Sequence, residues 1–204
     1  MSEPTFVRSP PLKHGAPAPD LLRRMLLVFA ALLVLATVPL AGGSLAALAD
    51  VRIRGAWVVG LAMGIQILIV SVLPGLSPEV FRPVHAATYG LLGWFLWLNR
   101  RLPGVWIIGV GGAANAVAIV ANGGVMPAAP EALAVAGLPA EKAGEFANSA
   151  AVQTPVLGWL GDVFAVPGAL GPAANVFSIG DVIIAVGLAV ALHRLAARSA
   201  QLAA

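Results

Sequence analysis

Residues 177–192 read Phe177-Ser-Ile-Gly-Asp-Val-Ile-Ile-Ala-Val-Gly-Leu-Ala-Val-Ala-Leu192. After Asp181 no polar side chain follows until His193. The apolar run, taken to about residue 195, reaches the length of a bilayer-spanning helix, about 17–25 residues. Arg194 and Arg198 close it. A lone carboxylate at the head of such a run has two readings. Ser178-Ile-Gly-Asp181 has the Ser-x-x-Asp spacing of a helix-capping box, with Asp in place of the usual Glu or Gln. Asp181 then lies in the first turn, near the positive end of the helix dipole, and the helix begins at Ile179. Alternatively, Asp181 takes part in chemistry.

The rest of the chain agrees with a membrane setting. Of 204 residues, 59% are hydrophobic and 10% charged, with a mean hydropathy of +0.92. Soluble domains carry about 25% charged residues. A chain this apolar cannot cover a water-facing surface with polar groups, so an integral membrane protein is predicted. The net charge is +3, and the basic residues come as dispersed pairs at segment ends. No nucleic-acid partner is predicted. There are no cysteines, which excludes disulfides, thiolate metal sites and cysteine-linked lipids.

Five apolar segments predict an all-α bundle of about five transmembrane helices, at residues 25–41, 56–73, 85–98, 105–121 and 179–195. The third is short and borrows residues 81–84. Residues 1–20, rich in proline, read as a disordered extension, and 21–204 as a single transmembrane bundle. Arg23-Arg24, the first apolar run and Ala47-Leu48-Ala49 also fit a signal peptide with its cleavage site. Residues 122–178 form a long extramembrane or re-entrant connection. It opens with the turn Asn122-Gly-Gly-Val-Met-Pro127. Short helices are expected at 130–136 and 139–147, each with proline first. A re-entrant or interfacial helix is expected over 155–166, capped by Thr154 and too short to span; a spanning helix there would raise the crossings to six.

With five crossings, Arg52, Arg54, Arg100, Arg101, Arg194 and Arg198 share one face. These lie close to helix ends, which places the C-terminus in the cytoplasm and the 122–178 connection outside. Tyr89, Trp94, Trp97 and Trp106 cluster in and after the third segment, and the three tryptophans, near Asn99-Arg-Arg, suit an interfacial aromatic belt. Gly60-x-x-x-Gly64, the small residues of 109–118, and Gly180, Ala185, Gly187 and Ala189 let helices approach closely. They serve either bundle packing or a tight site or dimer face.

The other face gathers Glu79, His85, Asn122, Asp162, Asn175 and Asp181. Gln66 and Asn115 lie within spans, where a polar group needs a partner or water. They form interhelical hydrogen bonds or line a polar path. Gln66, His85, Asn115, Asn122, Asn175 and Ser178 are the candidate polar site. Asp162 and Asp181 are the candidate catalytic residues. Two carboxylates brought together in low dielectric repel, and one keeps its proton, which supplies a general acid and a general base. His85 and His193 fall on opposite faces, so bis-histidine haem is disfavoured. No metal-ligand spacing and no phosphate-binding glycine loop appears, and no cofactor is predicted.

Two resemblances follow. Phe177-Ser178-Ile179-Gly180-Asp181 resembles the Phe-Asn-x-Ala-Asp phrase that opens the last helix of the bacterial lipoprotein signal peptidases, with Ser for Asn and Gly for Ala. Gly161-Asp162-Val163-Phe164 is similar to the setting of that family's first catalytic aspartate. The resemblance covers about 30 residues and implies an intramembrane aspartyl hydrolase using Asp162 and Asp181. No Asn-x-x-Asp-Arg phrase precedes Asp162. Across residues 25–195, Gly42 to Gly55, Gln66, Asn122 to Pro127, Leu160-Gly-Asp162 and Ser178-Ile-Gly-Asp181 together resemble a family of small bacterial membrane proteins known only as a domain of unknown function. That likeness implies a multi-pass protein of the bacterial cytoplasmic membrane and no activity.

Three functions are therefore open. They are a non-catalytic module of a membrane complex, a small transporter or lipid-binding protein with a polar cavity, and the aspartyl hydrolase. The expected partners are the lipid bilayer and either another membrane protein or a second copy of the chain.

Overall fold

The structure, a computed structural model, describes residues 26–73, 77–138, 149–150, 152 and 154–202. The extension at 1–20 and the helix expected at 139–147 lie outside the described residues. The fold is mostly helical. Its helices are α1 (Leu26–Leu40), α2 (Ala46–Ala49), α3 (Ala56–Ile67), α4 (Pro78–Leu98), α5 (Val105–Ala121), α6 (Pro130–Ala136) and α7 (Ile179–Leu202). Helix α3 continues as a π-helical turn, Leu68–Val72. Helix α4 begins at Pro78, earlier than the apolar run suggests, because Pro78 occupies its first position and Glu79 its first turn; both suit a helix start.

The long helices pack in the order α1, α7, α5, α4, α3. Gln66 meets Thr88 and Trp57 meets Trp94, so α3 and α4 are antiparallel. Trp97 meets Trp106 and Tyr89 packs by Ala118 and Ile119, so α4 and α5 are antiparallel. The closest pair is α5 with α7. A Cβ on Gly104 would overlap the Gly187 carbonyl oxygen, and one on Gly111 would stand 2.5 Å from the Gly180 carbonyl oxygen. The glycines recur at a seven-residue spacing on each helix, so they stay on one seam. Backbone therefore lies against backbone, as small residues permit.

Among the described residues, only α7, over Ile179–Ala197, is both long and apolar enough by itself to cross a membrane; α3 and α5 are apolar but shorter. Large apolar side chains point outward along the bundle, among them Leu61, Met63 and Ile67 on α3, Val110, Val117 and Val120 on α5, and Val182 and Val186 on α7.

The connection after α5 is a small packed cap. Strand β1 (Met126–Pro127) pairs in parallel with β2 (Ser149–Ala150), and β3 (Phe164–Val166) pairs antiparallel with β4 (Asn175–Phe177). Helix α6 lies on the β3–β4 hairpin through Ala132, Leu133, Ala136 and Val176. It ends where Gly137 takes a left-handed conformation, as a helix-terminating glycine does.

The helix expected over 155–166 is corrected. A single 3-10 turn, Gly158–Leu160, is followed by β3. Leu157 has φ +54°, which breaks any helix begun at Pro155, and Gly158 and Gly161 lack the side chains that would favour restarting it. Nor is Thr154 a cap: the Val156 N–H donates to Asn122 Oδ1 at 2.9 Å. With that helix gone, the sixth crossing goes too.

Candidate functional site at the α7 start

The first turn of α7 is tied to the middle of α5 by a closed ring of hydrogen bonds. The Ser178 N–H donates to Asp181 Oδ2 (2.9 Å), and the Asp181 N–H donates to Ser178 Oγ (3.0 Å). These are the reciprocal bonds of a capping box. Ser178 Oγ donates to Asn115 Oδ1 (2.8 Å). Asn115 Nδ2 donates to Asp181 Oδ1 (2.8 Å). Both carboxylate oxygens of Asp181 thus have partners, and Asn115 uses both ends of its amide.

The intervening glycine makes this possible. A Cβ on Gly180 would overlap Asn115 Oδ1, so only glycine lets the amide lie against the α7 backbone. The phrase Ser-Ile-Gly-Asp is one device: cap, spacer, contact surface, carboxylate.

Asp162 is 4% exposed. Its N–H donates to the Pro127 carbonyl (2.8 Å), and its own carbonyl accepts from the Ala129 N–H (3.0 Å). A Cβ on Gly161 would overlap that same Pro127 oxygen. Leu160 packs against Ala118, Ile119 and Met126. Leu160-Gly-Asp162 therefore docks directly on the turn Asn122-Gly-Gly-Val-Met-Pro127, whose Gly123 and Gly124 have φ of +69° and +95°.

Helix α4 closes the other side. Phe81, His85 and Tyr89 form a column at i, i+4 spacing, with His85 stacked on Phe81 (5.3 Å, 16°) and set edge-on to Tyr89 (5.3 Å). Tyr89 lies within electrostatic range of both Asp181 and Asp162. His85 is 5% exposed, and its Nδ1 has no hydrogen-bond partner among the described residues.

The remaining candidates have other tasks. Gln66 Nε2 donates to Thr88 Oγ1 (2.8 Å), and Thr88 Oγ1 donates to the His85 carbonyl (2.6 Å); this joins α3 to α4 outside the ring. Asn122 Nδ2 donates to the Val156 and Ala118 carbonyls, both at 2.7 Å, pinning the 154–157 loop to the end of α5. Asn175 Oδ1 accepts from the Val176 N–H (2.9 Å) in β4. His193 is bonded to Thr37 of α1 (2.8 Å), on the half of α7 remote from Asp181. No group of three or more His, Asp or Glu side chains that could hold a metal is gathered among the described residues.

Tyr89 and Thr88 were less legible in the sequence. Tyr89 is grouped there with the tryptophans, yet it turns inward while Trp94, Trp97 and Trp106 are exposed. The signal for it is its four-residue spacing from His85.

A family model described as a family of unknown function (DUF5317) matches residues 50–193. No curated protein and no solved structure matches the chain.

Proposed function

The chain belongs to DUF5317, a family of unknown function, and from that premise we propose that it is a non-catalytic, multi-pass module of the bacterial cytoplasmic membrane that assembles with partner helices. The observation that carries the reading is the ring at the start of α7. Asp181 spends both oxygens on a cap and on an interhelical bond, which is how a structural carboxylate is used. Asn115 likewise spends both ends of its amide, and Gln66 its Nε2, on bonds inside the bundle, which argues against a polar path through it.

Five crossings are supported by dimensions. Helix α5 has 17 residues and is about 26 Å long at 1.5 Å per residue, near the hydrocarbon thickness of about 30 Å. Residues 56–72 make a run of similar length. Assembly with partners is supported by Gly60 and Gly64 on α3, and Gly90 and Gly93 on α4. A Cβ at any of these would meet no described atom within 4 Å, so no described residue packs on these small-residue sites.

A hydrolase reading rests on one observation, the position of Tyr89 near both carboxylates. The test is complementation of a deletion strain by Asp162→Asn. The module reading expects full complementation, retention in the membrane pellet after alkaline extraction, and co-purification of another protein or a second copy in mild detergent. Lost complementation at normal membrane level and stability would replace it with the hydrolase. A chain released by alkaline extraction would remove the membrane placement.

A further inference from the structure

At the end of the bundle opposite Asp181, a groove of about 230 Å³ is lined by Arg52, Arg54, Asn99, Arg100 and Arg101. Its architecture comes from one buried amide. Asn99 is 5% exposed. Its Oδ1 accepts from the Arg54 N–H (2.9 Å) and its Nδ2 donates to the Arg54 carbonyl (2.8 Å), so it pairs with the Arg54 backbone as a strand neighbour would. A second bond to the Phe95 carbonyl (2.8 Å) fixes the amide to the end of α4. The loop before α3 and the loop after α4 are thereby locked side by side, and each carries two arginines into the same groove.

Four guanidinium groups around one polar groove repel one another. Arg100 is partly spoken for: it donates to the Trp97 carbonyl (3.0 Å) and lies 4.4 Å over the Trp97 ring. The guanidinium groups of Arg52, Arg54 and Arg101 make no hydrogen bond or ion pair with another described residue. Guanidinium forks match phosphate oxygens in two-point contacts. The exposed Trp57, Trp94, Trp97 and Trp106 cluster at this same end, as tryptophans do at headgroup level.

We propose that this groove binds the phosphate group of an anionic ligand, with Arg52, Arg54 and Arg101 as the contacting side chains and Asn99 as the positioning residue. A phospholipid headgroup and a free phosphate share that chemistry. The proposal goes beyond the module reading and shares with it only the membrane placement that a lipid source would need.

The test titrates the purified full chain in dodecyl maltoside, read by tryptophan fluorescence. The probes are dioctanoyl phosphatidylglycerol, dioctanoyl phosphatidylcholine as the zwitterionic control, and inorganic phosphate. Saturable binding of the anionic lipid, weakened by salt, is expected. R54Q/R101Q is expected to weaken it roughly 30-fold, at about 1 kcal/mol per arginine, and R100Q by less. R101K tests geometry in a variant that keeps its charge and fold, and a loss of affinity is expected. Displacement of the lipid by inorganic phosphate supports a lipid phosphate in the groove. Binding of inorganic phosphate alone supports the groove with a free anion as its ligand. No saturable binding of either anion overturns the proposal, as does undiminished binding by R54Q and R101Q, each measured singly. Inorganic phosphate binding needs no membrane, so it separates this outcome from a failure of alkaline extraction.

Discussion

Ser178, Asn115 and Asp181 each serve two others, so their substitutions are not equivalent. Ser178→Ala removes the cap to the Asp181 N–H and the bond to Asn115. It is expected to cost about 1–2 kcal/mol, the usual worth of a helix cap, plus a share for the stranded Asn115 oxygen. Asp181→Asn keeps one acceptor oxygen for two donors, and is expected to lose about 1 kcal/mol, less than Asp181→Ala. Chemical unfolding in detergent micelles checks the ranking. Equal losses for Asn and Ala at 181 would mean that the ring contributes nothing beyond charge.

Glycines separate two kinds of helix face. On α5 and α7, Gly111 and Gly180 face partner backbone so closely that a Cβ would collide with it. Gly111→Ala and Gly180→Ala are each expected to cost about 2–3 kcal/mol or more, because overpacked backbone cannot yield as a flexible side chain can. On α3, Gly60 and Gly64 face open space. Gly60→Ala and Gly64→Ala are expected to leave the isolated chain unchanged or up to about 1 kcal/mol more stable, from helix propensity. If that face seats a partner helix, the same two variants reduce co-purification while thermal stability holds. Parallel melting curves and pull-downs read both halves of this prediction.

The whole molecule has two unlike ends. One carries the arginine groove and the tryptophans; the other carries the α7 ring, Asp162 and the small cap. The chain has no cysteine, so single cysteines can be placed against a silent background. Cysteines replacing Val117 or Val186, both outward-facing, are expected to resist a membrane-impermeant maleimide. Cysteines replacing Leu102 and Val156, at opposite ends of the long helices, are expected to label from opposite sides of intact vesicles. Labelling of both from one side would rule out alternating crossings.

The apolar runs, the start of α7 at Ile179 and the limits of α5 were legible in sequence, since hydropathy and capping are local properties of adjacent residues. The Ser178–Asp181 box was legible for the same reason. Its tie to Asn115 was not, because the two are 63 residues apart in sequence and only helix packing brings them together. The helix expected over 155–166 failed on a nonlocal fact as well: the backbone there is held by Asn122 and Pro127, whose hydrogen bonds outweigh weak local propensity. Asn99 beside two arginines gave no hint of its pairing with the Arg54 backbone. By itself, then, the sequence determined which segments are apolar and where the last helix begins. Which glycines are seams, which carboxylate is a cap and which arginines converge were decided by tertiary structure, because each depends on distances between residues remote in the chain.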